Sequence, residues 1–264
     1  MRIVVLIKQV PATDKVKIDE ETGTMKREEM EAVINPLDLY AIEASLQVKE
    51  RIKEDSEIVV ISMGPPKAKD IVKEAISMGC DKGYLLSDKA FAGADTWATS
   101  YTLSMFIKKI GDFSIIFTGE RATDGETGQV GPSISAQLDL PILTYVSKII
   151  EIGEDYIIVE RETEEGTEIL KSSLPCVISV IKAISEPRLP TLRGKLKARE
   201  TEIQVINLKD LGLSEKEVGL LGSPTRVVKI FYPKLSREGI KIKEKSPEKA
   251  VDAIINFLEE RGIL

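Results

Sequence analysis

The sequence predicts an α/β fold in which helices alternate with the strands of a parallel sheet. Four short apolar segments have the composition of buried strands, at residues 3–7, 57–62, 82–86 and 113–117. Segments typical of helices lie between them, at a spacing of roughly 25–35 residues. That spacing suits right-handed crossovers, which bring successive strands into one sheet with the same direction.

Composition limits the chemistry available to this chain. It has 264 residues, 42% hydrophobic content and a net charge of −6, which allows a large core and argues against a nucleic-acid-binding protein. It contains no histidine, which excludes histidine-based catalysis and histidine-ligated metals. Because Cys80 and Cys176 lie far apart in the sequence, we expect no cysteine-ligated metal site. We therefore predict no catalytic residue, and any redox chemistry requires a bound cofactor.

The N-terminal ten residues, MRIVVLIKQV, do not resemble a signal peptide. Their apolar stretch is short, and charged residues follow at once. No apolar stretch in the chain approaches the length of a membrane-spanning helix. We therefore expect a cytoplasmic protein that does not itself span a membrane.

The other elements follow from local patterns. Residues 14–30 are polar and contain glycine, which predicts a loop or an exposed ribbon. Asn35 and Pro36 are typical of a helix start, since asparagine can cap a helix and proline fits its first turn. Helices are expected at residues 37 to about 53, at 67–78, from 93–96 through 110, and around Ile134, Leu138 and Leu140.

Ligands of parallel sheets bind beyond the carboxyl ends of the strands. The segments expected at those ends are all small, polar or glycine-containing, at residues 8–9, 63–64, 93–96 and 118–129. Their agreement is stronger evidence for a ligand site than any one of them.

The loop at residues 119–129 carries the most specific pattern. It follows the fourth strand, precedes a helix and contains glycines, hydroxyl side chains and a central carboxylate, Asp124. Such a loop can turn backbone N–H groups toward a diphosphate at the positive end of a helix. In this interpretation Thr127 and the N–H groups near Gln129 and Val130 bind phosphate, and Asp124 accepts from ribose hydroxyls. The loop matches neither a P-loop nor the dinucleotide-binding Gly-X-Gly-X-X-Gly pattern.

Structural alternatives stay open for these segments. Residues 119–129 also suit an ordinary loop whose glycines take left-handed conformations. Residues 35–38 suit a plain helix start. Residues 93–96 suit an N-cap in which Asp95 or Thr96 is the capping residue.

The pattern beyond Pro141 predicts a hairpin, a second ribbon and a buried strand, at residues 146–159, 161–170 and 175–184. Prolines and basic residues at 185–199 predict an exposed docking loop outside the core. From residue 201 the apolar stretches are short and broken by glycine and proline, so this tail should wrap around the parent domain or a partner subunit. It ends in an amphipathic helix at 247–264.

Taken together, these segments resemble the beta subunit of electron transfer flavoprotein. The resemblance runs along the chain through RIVVLIKQV, NPLD, ISMGPP, AISMGCDKG, GADTWATS, TGERATDGETGQVGP, LPCVISV and SEPRLPTLRGKLKAR. It implies a doubly wound, adenine-nucleotide-binding (HUP-like) α/β domain with a C-terminal arm that wraps the alpha subunit of a heterodimer. On this basis we expect the nucleotide-binding domain at residues 1–200 and the arm with its terminal helix at 201–264.

The resemblance also implies which residues surround the cofactor. They are Leu6, Asn35, Asp38, Met63, Asp95, Thr96, Gly119, Arg121, Thr123, Asp124, Gly125, Thr127, Gly128, Gln129 and Val130. One branch of the family holds AMP at this site as a structural ligand. The electron-bifurcating branch holds a second FAD, which accepts a hydride from NADH. The TDGE sequence at 123–126 and the GADTWATS segment resemble the FAD-binding branch, and AMP is the alternative.

Partners are the other implication of the resemblance. Residues 186–199 resemble the family's recognition loop, with Leu192 as its anchor and Lys195 and Lys197 on its charged flank. The implied partners are the alpha subunit, which holds a mobile FAD, and a dehydrogenase or a ferredoxin- or quinone-linked redox protein. The flavin would carry the chemistry, so the status of this chain as an enzyme stays open. An ATP-using enzyme is a weaker alternative, because residues 8–11 (KQVP) replace the pyrophosphate loop expected after the first strand.

Overall fold

The computed structural model describes residues 1–12, 32–52, 56–228, 241, 243–244 and 246–264. The chain divides into two units, Met1–Val228 and Lys229–Leu264. The loop or ribbon expected at residues 14–30 lies outside the described residues.

Eleven strands are present in the described part of the chain: β1 (Arg2–Leu6), β2 (Gln9–Pro11), β3 (Ala32–Ile34), β4 (Glu57–Met63), β5 (Lys82–Leu86), β6 (Ile115–Gly119), β7 (Ile142–Ile152), β8 (Tyr156–Thr163), β9 (Gly166–Ser173), β10 (Cys176–Val180) and β11 (Gln204–Ile206). Strands β2 and β3 form a small antiparallel pair. The other nine form one sheet in the order β11-β5-β4-β1-β6-β10-β7-β8-β9.

Eight α-helices accompany them within the same residues: α1 (Pro36–Arg51), α2 (Lys69–Met78), α3 (Thr96–Ile110), α4 (Val130–Leu138), α5 (Leu192–Glu200), α6 (Leu208–Leu211), α7 (Gly219–Gly222) and α8 (Pro247–Glu260). Helix α8 belongs to the second unit. None of the helices in the described ranges is long and apolar enough to cross a membrane.

The order of the parallel strands confirms the doubly wound α/β fold. From β1 the chain moves outward to β4 and then to β5, and all three strands run parallel. It then returns to β6, which pairs with β1 on the other side, with Ile3 opposite Ile115. The direction of winding therefore reverses between β1 and β6. In open α/β sheets, this switch point is where ligands bind.

Both faces of the sheet are covered, which explains the continuous apolar composition of its central strands. Ile3 and Val5 of β1 join a core cluster with residues of α1 and α2. Val4 and Leu6, which point the other way, join a second cluster with residues of α3 and α4. The alternation of side chains along β1 therefore directs one set toward α1 and α2 and the other set toward α3 and α4.

The second half of the sheet has an antiparallel extension and one strand that is shorter than predicted. The sheet is not wholly parallel, because β8 and β9 extend it as antiparallel strands after β7. These strands correspond to the predicted hairpin and ribbon, whose short turns permit only antiparallel neighbours. The strand predicted at 175–184 ends at Val180. The N–H of Ile184 donates to the carbonyl oxygen of Ile181, which closes a 3₁₀ turn instead.

The segment predicted as an exposed loop at 185–199 is also partly helical. Helix α5 begins after Thr191, whose side chain accepts a hydrogen bond from the Gly194 N–H at 2.9 Å. Of its nine residues only Ala198 is buried, so no apolar periodicity indicated the helix. Beyond it, β11 pairs with β5, so this part of the tail joins the parent domain.

Candidate nucleotide-binding site

The carboxyl ends of β1 and β6 lie side by side at the switch point, and a salt bridge joins the segments that follow them. Lys8, just after β1, donates from its Nζ atom to Asp124 Oδ1 at 2.6 Å. Asp124 lies in the middle of the loop that follows β6. The loop after β6 therefore reaches across the switch point to the segment after β1. This agrees with its predicted position at the carboxyl ends of the strands. Lys8 belongs to the strand-end segment 8–9 that was expected to face a ligand, but the resemblance did not imply it as a cofactor residue.

Asn35 fastens this loop to the start of α1. Its side chain is buried, and Nδ2 donates to the Arg121 carbonyl oxygen at 2.9 Å. Its Oδ1 atom accepts from the Thr123 N–H at 3.1 Å. The same Nδ2 atom also donates to Asp38 Oδ1 at 2.9 Å. Asn35 makes no side-chain capping bond to α1, so the capping role expected for it is wrong: its side chain binds the loop instead.

Asp38 joins the start of α1 to the end of β1. Its Oδ2 atom accepts from the Lys8 N–H at 2.7 Å. Burial raises the pKa of the Asp38 carboxyl to about 7, although the hydrogen bonds from Asn35 and Lys8 oppose that change. Gly119, the last residue of β6, touches the same carboxyl: a Cβ atom there would lie 2.5 Å from Asp38 Oδ1. Glycine is therefore required where β6 meets α1.

Asp95 caps α3, in agreement with the N-cap interpretation of residues 93–96. Its Oδ1 atom accepts from the Ala98 N–H at 3.0 Å. Its Oδ2 atom accepts from the N–H and the hydroxyl of Thr225, at 2.9 and 2.7 Å. Burial would raise the pKa of this carboxyl, but these hydrogen bonds outweigh the effect and lower it. The Asp95 carboxylate therefore occupies the positive end of α3 and also holds the chain near residue 225.

Thr96 brings the start of α3 into contact with the loop. Its hydroxyl donates to Thr127 Oγ1 at 3.3 Å. Residues 93–96 do not follow β5 directly, because a 3₁₀ turn at Lys89–Phe91 lies between them. Their contact with the site comes from Thr96, which is the first residue of α3.

The start of α4 differs from that of α3, because no side chain caps it. Gln129 occupies the N-cap position without a capping bond, and the helix begins at Val130. The first N–H groups of a helix lack intrahelical partners and carry a partial positive charge. Beside them lies Thr118, which is 6% exposed and whose Oγ1 atom has no hydrogen-bond partner in the described structure. A Cβ atom on Gly131 would lie 3.0 Å from that oxygen.

These features fit a bound phosphate or diphosphate. The unpaired Thr118 hydroxyl and the uncapped first turn of α4 both present donors, and anions bind readily at helix N-termini. Of the loop glycines, Gly128 takes the left-handed conformation, with a φ of 63°, whereas Gly119 and Gly125 do not. The ordinary-loop interpretation and the phosphate-binding interpretation are compatible, since left-handed turn residues can direct neighbouring backbone N–H groups toward an anion.

The remaining predicted residues occupy the rim of the site or its supports. Leu6 is buried at the end of β1, and Met63 ends β4 and packs against the same cluster. Arg121 forms a salt bridge with Glu120. A Cβ atom on Gly125 would lie 4.0 Å from Lys8 Nζ, so the middle of the loop faces this lysine.

Metal ions and thiols are other possible sources of chemistry in the described residues. No group of three or more acidic or cysteine residues there is placed to hold a metal ion. Cys80 and Cys176 are both buried and unpaired. Burial raises the pKa of each thiol to about 12, so neither is a thiolate near neutral pH.

The predicted docking residues lie away from this site, on α5, which packs against α2. Leu192 is 77% exposed. Lys195 lies on the exposed surface of the same helix. Lys197 differs from them, because its Nζ atom donates to the Cys80 carbonyl oxygen at 3.0 Å.

Comparison with known proteins gives matches along the whole chain. Residues 22–211 match the family described as "Electron transfer flavoprotein domain". The chain is 41% identical over 264 residues to the caffeyl-CoA reductase-Etf complex subunit CarD of Acetobacterium woodii, covering 100% of both chains. It is 42% identical over 265 residues to the electron transfer flavoprotein subunit beta of Thermoanaerobacterium thermosaccharolyticum, again covering 100% of both. It is 38% identical over 268 residues to protein FixA of Azorhizobium caulinodans, covering 99% of this chain and 95% of that one.

Proposed function

Because the chain belongs to the electron transfer flavoprotein family and matches its beta subunits from end to end, we propose that it binds FAD at the switch-point site. In this proposal it forms a heterodimer with an alpha subunit, as beta subunits of this family do. The heterodimer passes electrons between NADH or dehydrogenases and acceptors by flavin-based bifurcation. A cytoplasmic location, expected from the N-terminal sequence, is part of the same proposal.

The start of α4 is the observation that carries the proposal. It combines an uncapped helix N-terminus with the buried, unpaired hydroxyl of Thr118. Both are suited to the diphosphate of FAD. Asn35 and Asp38 contribute indirectly to the proposed phosphate site. Asn35 holds the backbone of the loop, and Asp38 holds the backbone of Lys8.

The bound isoalloxazine ring would supply the hydride and electron chemistry. The chain's own residues bind and orient the cofactor. In this proposal, main-chain N–H groups of the loop and of α4 hold the phosphates, and Asp124 accepts from a ribose hydroxyl. The salt bridge between Asp124 and Lys8 would then break, and contacts with the nucleotide would replace it.

AMP is the alternative ligand, because the same N–H groups would hold a single phosphate. Such a chain would be a structural and docking subunit with no NADH chemistry. The TDGE sequence at 123–126 favours FAD. So does the similarity to CarD, whose name places it in a complex with a caffeyl-CoA reductase. We propose on this basis that a dehydrogenase, or a ferredoxin- or quinone-linked protein, docks at Leu192 and Lys195.

Replacing Thr127 with tyrosine tests the site. The larger side chain would fill the space beside Thr96, so the co-purified alpha–beta complex should lose the nucleotide of this chain and keep the FAD of the alpha subunit. Nucleotides released by denaturation are quantified by chromatography. Thr167→Tyr, at an exposed residue of β9, is the matched control and should leave both cofactors in place. Retention of both by Thr127→Tyr would contradict the proposed site.

A further inference from the structure

An arginine fastens residues 185–200, the docking segment, to α1. The Nε and Nη2 atoms of Arg188 donate to the two carboxylate oxygens of Glu43, at 2.8 and 2.9 Å. Its backbone N–H donates to the same carboxylate at 3.1 Å, and Nη1 donates to Glu50 at 2.6 Å. Glu43 is only 4% exposed. Burial would raise the pKa of the Glu43 carboxyl, but the Arg188 hydrogen bonds outweigh it and lower that pKa.

The segment then packs on α2 through a glycine. A Cβ atom on Gly194 would lie 2.0 Å from the carbonyl oxygen of Ser77, so α5 approaches α2 at a distance that only glycine allows. Ala198, one turn later, is 5% exposed and belongs to the core cluster that contains residues of α2. One side of α5 is therefore committed to the protein interior.

Lys197 binds the protein through its ammonium group, although its side chain is 46% exposed. Its Nζ atom donates to the Cys80 carbonyl oxygen at 3.0 Å and lies 3.5 Å from Asp81 Oδ1. Asp81 is itself fixed, because it accepts from Lys49 Nζ at 2.6 Å and from the Ile58 N–H at 2.8 Å. The ammonium group of Lys197 therefore holds α5 to a rigid corner between α2 and β5.

We propose that Arg188, Gly194 and Lys197 are positioning residues that hold the docking segment in one conformation. The side chains left to meet a partner are those that point outward, chiefly Leu189 and Leu192, which are 84% and 77% exposed. This inference rests on the proposed function, in which the segment contacts a redox partner. It removes Lys197 from the set of residues that touch that partner.

Such anchoring has a consequence for binding. Ordering a flexible segment costs free energy when a partner docks, and a segment already held in place avoids that cost. Loosening the anchors should therefore raise the KM for the partner and leave kcat unchanged, because the flavin site is elsewhere.

Amide hydrogen exchange over residues 189–200 of the alpha–beta complex tests the proposal. Lys197→Met removes the ammonium group and keeps the stem of the side chain. It should speed exchange about tenfold, because a charge-assisted hydrogen bond is lost. Arg188→Lys keeps the positive charge but loses the bidentate hydrogen bonding to Glu43. It should also speed amide exchange about tenfold. Lys197→Arg keeps a hydrogen-bond donor within reach of the Cys80 carbonyl oxygen, so amide exchange should stay close to the wild-type rate.

Lys195→Met is the matched control, two residues away on the same helix, and it should leave exchange unchanged. The KM for a dehydrogenase that accepts electrons from the wild-type complex gives a second measurement. Lys197→Met should raise this KM together with exchange, whereas Lys195→Met should raise the KM alone. Lys197→Met could instead raise the KM while the amide exchange rate stayed at the wild-type value. Lys197 would then be a docking residue, and the inference would be wrong. The exchange result does not depend on cofactor content, so loss of the proposed flavin site would not produce it.

Discussion

Asn35 and Asp38 tie together the segments that form the candidate site. Their hydrogen bonds join the loop after β6, the end of β1 and each other. Their contribution is to fix backbone atoms whose N–H groups can then point at a ligand. The resemblance implied both residues, but it could not distinguish contact with the cofactor from support of the loop.

Asp38 predicts a pH dependence of stability. Its pKa is about 7 in the folded chain against an ordinary value of 3.8, so folding favours the protonated carboxyl. The stabilisation is complete below about pH 4 and is lost as pH rises through about 7, by up to about 1.4 kcal/mol per pH unit. Urea unfolding at pH 5 and pH 8 measures this difference. Asp38→Asn should reduce it, whereas Asp155→Asn, in the exposed turn after β7, should not. An equal pH dependence in both variants would contradict the assignment.

Helices α3 and α4 both begin beside the loop at 119–129, but their first turns have different hydrogen-bond partners. Asp95 neutralises the start of α3 and binds Thr225, whereas the start of α4 has no side-chain cap. A nucleotide phosphate would take the place of the missing cap on α4. This contrast supports the proposal that an anion binds at the start of α4, although α1 and α2 also begin without a side-chain cap.

Replacement of Asp95 separates its two roles. Asp95→Ala removes both the cap of α3 and the acceptor for Thr225, and it should lower the free energy of unfolding by about 1–2 kcal/mol. Asp95→Ser can still cap the helix, so it should recover most of that loss. Exchange of the Thr225 amide should remain faster than in wild type in both variants. Denaturant titration and hydrogen exchange measure the two effects, and equal stability of the serine and alanine variants would contradict the capping role.

The sequence predicted some elements well because their burial leaves a pattern. Strands β1, β4 and β6 are covered on both faces, so they are continuously apolar and easily located. Helix α5 was missed because it buries a single residue, Ala198. The role of Asn35 was also missed, since its partners at Arg121 and Thr123 lie far along the chain and no local pattern records that contact.

At the scale of the whole molecule, the order of the strands defines the switch point at which the candidate site lies. Winding reverses between β1 and β6, and the residues expected around the cofactor gather at that point because of it. The predicted division into a nucleotide-binding domain at 1–200 and an arm at 201–264 remains a proposal. Helix α8 lies within the segment proposed as the arm.

The nucleotide content of the wild-type alpha–beta complex tests the central claim most directly. FAD and AMP are released from the purified complex by denaturation and counted against protein. The proposed site predicts two FAD molecules per heterodimer and no AMP. One FAD with one AMP would contradict the FAD assignment, and one FAD with no second nucleotide would contradict the site itself.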